Sequence, residues 1–423
     1  MEYNSAQISY SLLGQRAVAS ETVITRLMGE ALADPEVLSL AAGFTDNALL
    51  PLEAVQAAVT RLKGRTGREA LQYGLNAGRP GLREAALELL RSYPRETLPG
   101  LGMEDVLITN GSQQGLYLLI QALCDPGDIV LVEDPTYFVF LELLRGLGVQ
   151  ALPMPVAVDG SIDCAAMADE LGRLKAAGQH SRVKAVYLMG TFANPSTRSM
   201  AETTKRQLAA LLERCHPQAV IIEDMAYREL YFEEPAPALS LLSMPEYEDL
   251  PVVYAGTFTK PFATGLKVGF LATRQARLRQ TLSRIKGHQD FGTAHFTQAI
   301  VEEAWRSGEY LTHLRHVRPL YHAKCHLLQQ SLRENGLDTF GWSWEPPRGG
   351  LLLWAKGPAG TDTRIASAFH RQALRRKVLY VPGDLCFAKG QPHHYVRLSF
   401  GALPADLIPE AARRFCEAAR HDR

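Results

Sequence analysis

Between about residue 105 and residue 273, short β-branched apolar runs alternate with longer segments of helical periodicity. The runs are Val106–Thr109, Asp128–Asp134, Val183–Met189, Ala219–Asp224, Val252–Gly256 and Val268–Thr273. A continuous apolar run has no face to offer water, so a strand made from it must be covered on both sides. Helices between such strands supply the cover, which restricts the chain to an α/β fold around a mostly parallel sheet.

After residue 300 the texture changes. A long helical stretch (Gln298–Arg333) leads into Gly349-Gly350-Leu351-Leu352-Leu353-Trp354, then VLYVPG, HYVRLSFG and a final amphipathic helix over Glu410–Arg420. This pattern predicts a smaller α+β domain. At 423 residues the chain is long enough for two domains. The expected division is a large domain over 46–310 and a small one made of 1–45 together with 311–423. The first 45 residues join the small domain because their helix, Glu21–Ala33, is too short to stand alone.

Hydrophobic residues are 46% of the chain and charged ones 21%, the balance of a soluble globular protein. Lys plus Arg and Asp plus Glu both number 45, so there is no basic field of the kind that nucleic acid attracts. Small molecules and other subunits are the expected partners. The six cysteines (Cys124, Cys164, Cys215, Cys325, Cys386, Cys416) are scattered without a C-x-x-C pair, which argues against a disulfide framework, a zinc site or any other metal. The N-terminus lacks a basic start with an apolar core, and no stretch has the roughly 18 apolar residues of a membrane span. A cytoplasmic location is expected, and Asn110-Gly111-Ser112 reads as a chance glycosylation match.

Six segments carry chemistry. In VLITNGSQQG a strand turns into a helix at Gly111, and the free N–H groups there, with Ser112, form either an anion site or an ordinary capped turn. VLVEDPTY delivers Tyr137 to the carboxyl edge of the sheet, where an aromatic can stack on a planar ligand or merely fill core. GTFANPSTRSM ends its strand at Asn194-Pro195, which offers a side-chain amide at the same edge or a plain turn. AVIIEDMAY places Asp224 at the end of a buried strand, three residues before Tyr227. A carboxylate there needs a cation or strong donor unless it caps a helix. Finally, TFTKPFATGLKVG sets Lys260 between a strand end and a glycine-containing loop, flanked by Thr257, Thr259 and Lys267. An amine beside an anion site suits a phosphorylated aldehyde, although a solvated lysine is the commoner case. Near the end, Arg397 in HYVRLSF is an inward guanidinium awaiting a carboxylate, or an outward one on an edge strand.

Taken in order, these pieces resemble the fold-type I pyridoxal-phosphate-dependent aminotransferases, in particular the branch with aminoadipate and kynurenine aminotransferases and the effector domains of MocR-type regulators. The resemblance covers nearly the whole chain. It includes LQYGLNAGRPGLRE, the G-S-Q turn, D-P-T-Y, N-P-S-T-R-S-M, E-D-x-x-Y, T-F-T-K with G-L-K-V-G, P-R-G-G and Y-V-R-L-S-F. It implies a seven-stranded, mostly parallel sheet in the large domain and a pyridoxal 5'-phosphate cofactor held as a Schiff base on Lys260.

By matching position, the resemblance also implies roles. Asp224 would face the ring nitrogen; Tyr227 and Asn194 the phenolate oxygen; Tyr137 the ring face. Ser112, Gln113, Thr257, Thr259 and Lys267 would hold the phosphate. Tyr73 would reach the phosphate of a neighbouring subunit, implying a homodimer with shared active sites. Arg397, with Asn194 and Gly43 nearby, would bind the substrate carboxylate. Lys267 stands where the family usually has Arg, keeping the charge but losing the fork geometry. The expected activity is transfer of an amino group between an α-amino acid and a 2-oxo acid. A β-lyase-type reaction on the same scaffold is the alternative among enzymes. A non-catalytic regulator is the alternative outside them, disfavoured because Glu21–Ala33 leads almost directly into the catalytic fold.

Overall fold

The computed structural model describes residues 9–19, 29, 34–65, 67–233 and 239–420. The helix expected over Glu21–Ala33 lies, apart from Gly29, outside them.

A short strand, β1 (Leu38–Ser39), comes first. The central sheet then takes β2 (Val106–Asn110), β3 (Ile129–Val132), β4 (Gln150–Pro153), β5 (Val183–Leu188), β6 (Val220–Asp224), β7 (Val252–Thr257) and β8 (Val268–Ala272). Their spatial order is β2-β8-β7-β6-β5-β3-β4. β8 runs antiparallel to both neighbours, and all the other pairs are parallel. Helices between the strands seal the sheet, as the uniformly buried β3, β6, β7 and β8 require. Six of the seven strands coincide with the apolar runs. The seventh, β4, is a half-buried edge strand ending in Pro153, where a missing N–H costs the sheet nothing.

The remaining strands are β9 (Ser343–Trp344), β10 (Leu352–Lys356), β11 (Val378–Leu379), β12 (Val381–Pro382) and β13 (Tyr395–Ser399). An antiparallel sheet in the order β12-β13-β10-β9 is accompanied by a parallel β1-β11 pair. The helical region expected from Gln298 to Arg333 consists of two helices, His295–Arg306 and Glu309–Glu334, separated at Gly308, whose φ of 78° takes the chain out of the helical path. The closing helix, Ile408–Arg420, packs against the longer of these. A single cluster of buried side chains includes Leu107 and Ile222 of the large sheet and Leu353 and Val396 of the small one.

Because β2, β3, β5, β6 and β7 all point the same way, the loops after them emerge at one edge of the sheet. Antiparallel β8 begins at that edge, with Val268 opposite Asn110 and Gly269 opposite Thr257. The geometry therefore brings five separate loops to one place.

Candidate active site

At one end of this edge, Gly111 adopts a φ of 68° and opens the helix Gly111–Leu123. The start of that helix lies against β8. A Cβ on Gly269 would stand 2.5 Å from the Gly111 carbonyl carbon and 2.6 Å from the Ser112 nitrogen, so only glycine allows the approach. Beside it, the Thr257 hydroxyl donates to the Val268 carbonyl (3.2 Å) and accepts the Thr259 N–H (3.0 Å). The Thr259 hydroxyl reaches the same carbonyl at 3.3 Å. Lys267 is exposed, with a left-handed φ of 52° just before β8. Free N–H groups, hydroxyls and one ammonium at a helix start make an anion cradle.

Further along, Asp224 ends β6 and is buried. It accepts the Tyr187 hydroxyl at 2.8 Å and the Ala226 N–H at 3.2 Å. Burial outweighs both and pushes its carboxyl up to about 6, with no cation contributing among the described residues. Glu133, at the end of β3, accepts the Met189 N–H at 2.6 Å, yet burial pushes it up to about 7. Two carboxyls kept from their ordinary ionisation at a sheet edge mark a functional site.

Lys260 lies in the loop after β7. Burial first, then the positive charges of Arg397 and Lys267, push its amine down to about 8. Its Nζ donates to the Gly43 carbonyl. Arg397 is inward-facing and buried in β13, where its Nη2 donates to the Ala41 carbonyl (2.7 Å) and its Nη1 to Asn194 Oδ1 (3.1 Å). Its Nε has no hydrogen-bond partner among the described residues. The guanidinium lies 5.4 Å from the Phe138 ring centroid. Tyr227, also buried, hydrogen-bonds to Asn194. Burial, together with the Tyr227 and Asp224 charges, holds the Tyr137 phenol well above its usual range.

The fold thus gathers Lys260, Arg397, Asn194, Tyr227, Asp224, Tyr137 and Gly43 at one end, and Ser112, Thr257, Thr259 and Lys267 at the other. Gln113 sits on the first turn of the helix with its side chain exposed. Tyr73 is 84% exposed, and among the described residues its one ring contact is with Phe291, 6.4 Å between centroids. Tyr187 and the Ala41 carbonyl were not legible in the sequence. A tyrosine within an apolar strand reads as core, and a backbone carbonyl has no sequence signature.

The residues present fit a phosphorylated pyridine aldehyde. Among the described residues no cation contributes to the buried Asp224 carboxyl, a place a ring N–H could take; the lysine amine is held below its ordinary range, and the anion cradle suits a phosphate.

Comparison with known proteins agrees. The family model for aminotransferase class I and II matches residues 35–415. The chain is 31% identical to aromatic-amino-acid aminotransferase 1 of Thermococcus litoralis over 392 residues, covering 92% of this chain and 89% of that protein. It is 32% identical to the 2-aminoadipate transaminase of Thermus thermophilus over 387 residues, covering 91% and 90%. The solved α-aminoadipate aminotransferase of Thermus thermophilus, complexed with N-(5'-phosphopyridoxyl)-L-leucine, superposes with a TM-score of 0.82 at 29% identity, covering 96% of this chain and 97% of that one. The chain belongs to the class I and II aminotransferases, enzymes that use pyridoxal 5'-phosphate to move an amino group between an α-amino acid and a 2-oxo acid.

Proposed function

We propose that transamination here is carried out by Lys260, Asp224, Tyr227, Asn194 and Arg397 acting as one centre. The supporting observation is Lys260 itself, a lysine whose Nζ donates to the Gly43 carbonyl and whose amine is pushed down to about 8 by burial first and then by the charge of Arg397. Pyridoxal 5'-phosphate, when bound, supplies an aldehyde that bonds to amines and a protonated ring that draws electrons from the substrate Cα.

Lys260, its amine held below the ordinary lysine range, would bond to that aldehyde and would carry the proton at the substrate Cα. Asp224 would hold the ring nitrogen protonated, and the Tyr187 hydroxyl, which donates to it, fixes the carboxylate's direction. Tyr227 and Asn194 bind the phenolic oxygen, and Tyr137 covers the ring face and excludes water. Ser112, Gln113, Thr257, Thr259 and Lys267 bind the phosphate. Lys267 does so as a point charge, which predicts weaker retention than an arginine fork gives. Arg397 takes the α-carboxylate of the substrate through its Nη atoms and free Nε, next to Gly43 and Asn194.

Residues 46–310 serve as the cofactor domain, with 1–45 and 311–423 as the second domain. The functional unit is a homodimer in which Tyr73 completes the partner's phosphate site, and its six free cysteines suit the cytoplasm. Among the described residues, no helix is long and apolar enough to cross a membrane. The names of the relatives make aromatic amino acids and 2-aminoadipate the first donors to test.

The test is spectroscopic. Adding a donor amino acid to holoenzyme should shift the visible absorption of the bound cofactor, and a 2-oxo acid should reverse the shift. A Lys260→Ala protein that still turns over would overturn the assignment.

A further inference from the structure

The segment from Leu40 to Asp46 supplies backbone oxygens to two cationic side chains of the reacting centre, Arg397 and Lys260. Its first part is stitched between strands: the Leu40 N–H donates to the Leu379 carbonyl (2.8 Å), and the Ser399 N–H donates to the Leu40 carbonyl (2.7 Å). The chain then leaves the sheet. Its Ala41 carbonyl accepts from Arg397 at 2.7 Å, and its Gly43 carbonyl accepts from Lys260. Two carbonyls of this strap, two residues apart, thus touch the two cationic groups.

The far end is anchored by charge. Asp46 is 6% exposed and accepts from Lys324 Nζ at 2.7 Å; Lys324 is 4% exposed. Asp46 also accepts the Ala48 N–H at 3.0 Å. Lys324 makes a second hydrogen bond, 3.1 Å to the Gly401 carbonyl just beyond β13, the strand that carries Arg397. Tyr321, one helical turn before Lys324, bonds to the Asp46 backbone. At Gly401 the strap passes so close that a Cβ would stand 2.6 Å from the Phe44 carbonyl oxygen. The strap and the strand that carries Arg397 are therefore tied together before and after the Ala41 and Gly43 carbonyls, at Ser399 and Gly401.

A buried ion pair is a poor source of stability, because an apolar pair of similar volume does as well or better once desolvation is counted. What an apolar pair lacks is direction. We propose that Asp46 and Lys324 are positioning residues, whose pair holds the strap so that the Ala41 and Gly43 carbonyls keep Arg397 and Lys260 aimed at the substrate. The proposal rests on the reading of Arg397 as the carboxylate site and Lys260 as the cofactor lysine.

The test uses the paired variant Asp46→Asn/Lys324→Met, which removes both charges without leaving a lone one and keeps an acceptor for Ala48. Melting should stay near the parent's. The KM for the amino donor should rise about tenfold through Arg397, with a smaller fall in kcat, about threefold, because Lys260 is less well aimed. In the apoprotein, the pH midpoint for acylation of Lys260 by acetic anhydride should move, because the Gly43 contact is loosened. Lys324→Arg, which keeps the charge, should recover much of the KM. Gly401→Ala displaces the strap at Phe44 while leaving both charges in place, should reproduce the KM rise, and decides the matter by itself if the paired variant does not fold. Parental KM and parental acylation in a folded variant would overturn the proposal. An Arg397→Lys protein with unchanged KM would instead sink the reading of Arg397, whatever the pair does.

Discussion

Asp224 and Lys260 are each held away from their ordinary ionisation, and the signs of the two effects differ. The Asp224 carboxyl rises from 3.8 to about 6 on folding without cofactor. Within that window the folded chain binds more protons than the unfolded one, so stability falls as pH rises, and above it the whole cost remains, on the order of 3 kcal/mol. Asp224→Asn apoprotein should therefore be more stable than the parent above pH 6 in urea denaturation, by up to about that amount, while turnover collapses. Parental stability would show that the carboxylate is not strained by burial. Lys260 falls from 10.5 to about 8. Between those values the unfolded chain holds the extra proton, so this group adds stability as pH rises through the window. Asp224 was legible in the sequence because a carboxylate closing an apolar strand demands a partner. Its donor Tyr187 was not, because nothing local to VKAVYL says that β5 lies beside β6.

At the scale of elements, apolar runs identified six strands of the large sheet, since burial on both faces leaves a continuous signal. β4, reading Gln-Ala-Leu-Pro, leaves none, because an edge strand need not be apolar throughout. The reversed direction of β8 was equally hidden: GLKVGFLAT reads the same in a parallel or antiparallel strand, and only its pairing on both sides reveals it. That reversal brings Gly269 against the Gly111–Ser112 turn. Gly269→Ala should push the helix start away from the cradle, lowering stability by about 1–3 kcal/mol. Cofactor should be lost on gel filtration, followed by its absorbance. A variant that retains cofactor as the parent does would show that the close approach is dispensable.

For the whole molecule, Leu71, Tyr73 and Phe291 are 72%, 84% and 73% exposed. Apolar side chains left so open, two of them in ring contact, suit a surface covered by a second subunit. Tyr73→Phe should remain dimeric by light scattering yet release cofactor about tenfold faster, the effect of one lost charge-assisted hydrogen bond to a phosphate. A fully active monomer would contradict the shared site. The family and its cofactor were legible because several motifs, each weak, occur in register along the chain; the donor amino acid was not, because no residue quoted from those motifs reports the side-chain pocket. The most direct measurement is borohydride reduction of the holoprotein followed by peptide mass spectrometry. A phosphopyridoxyl mass on the peptide containing Lys260 is the predicted result; the mass on another lysine, or on none, would contradict it.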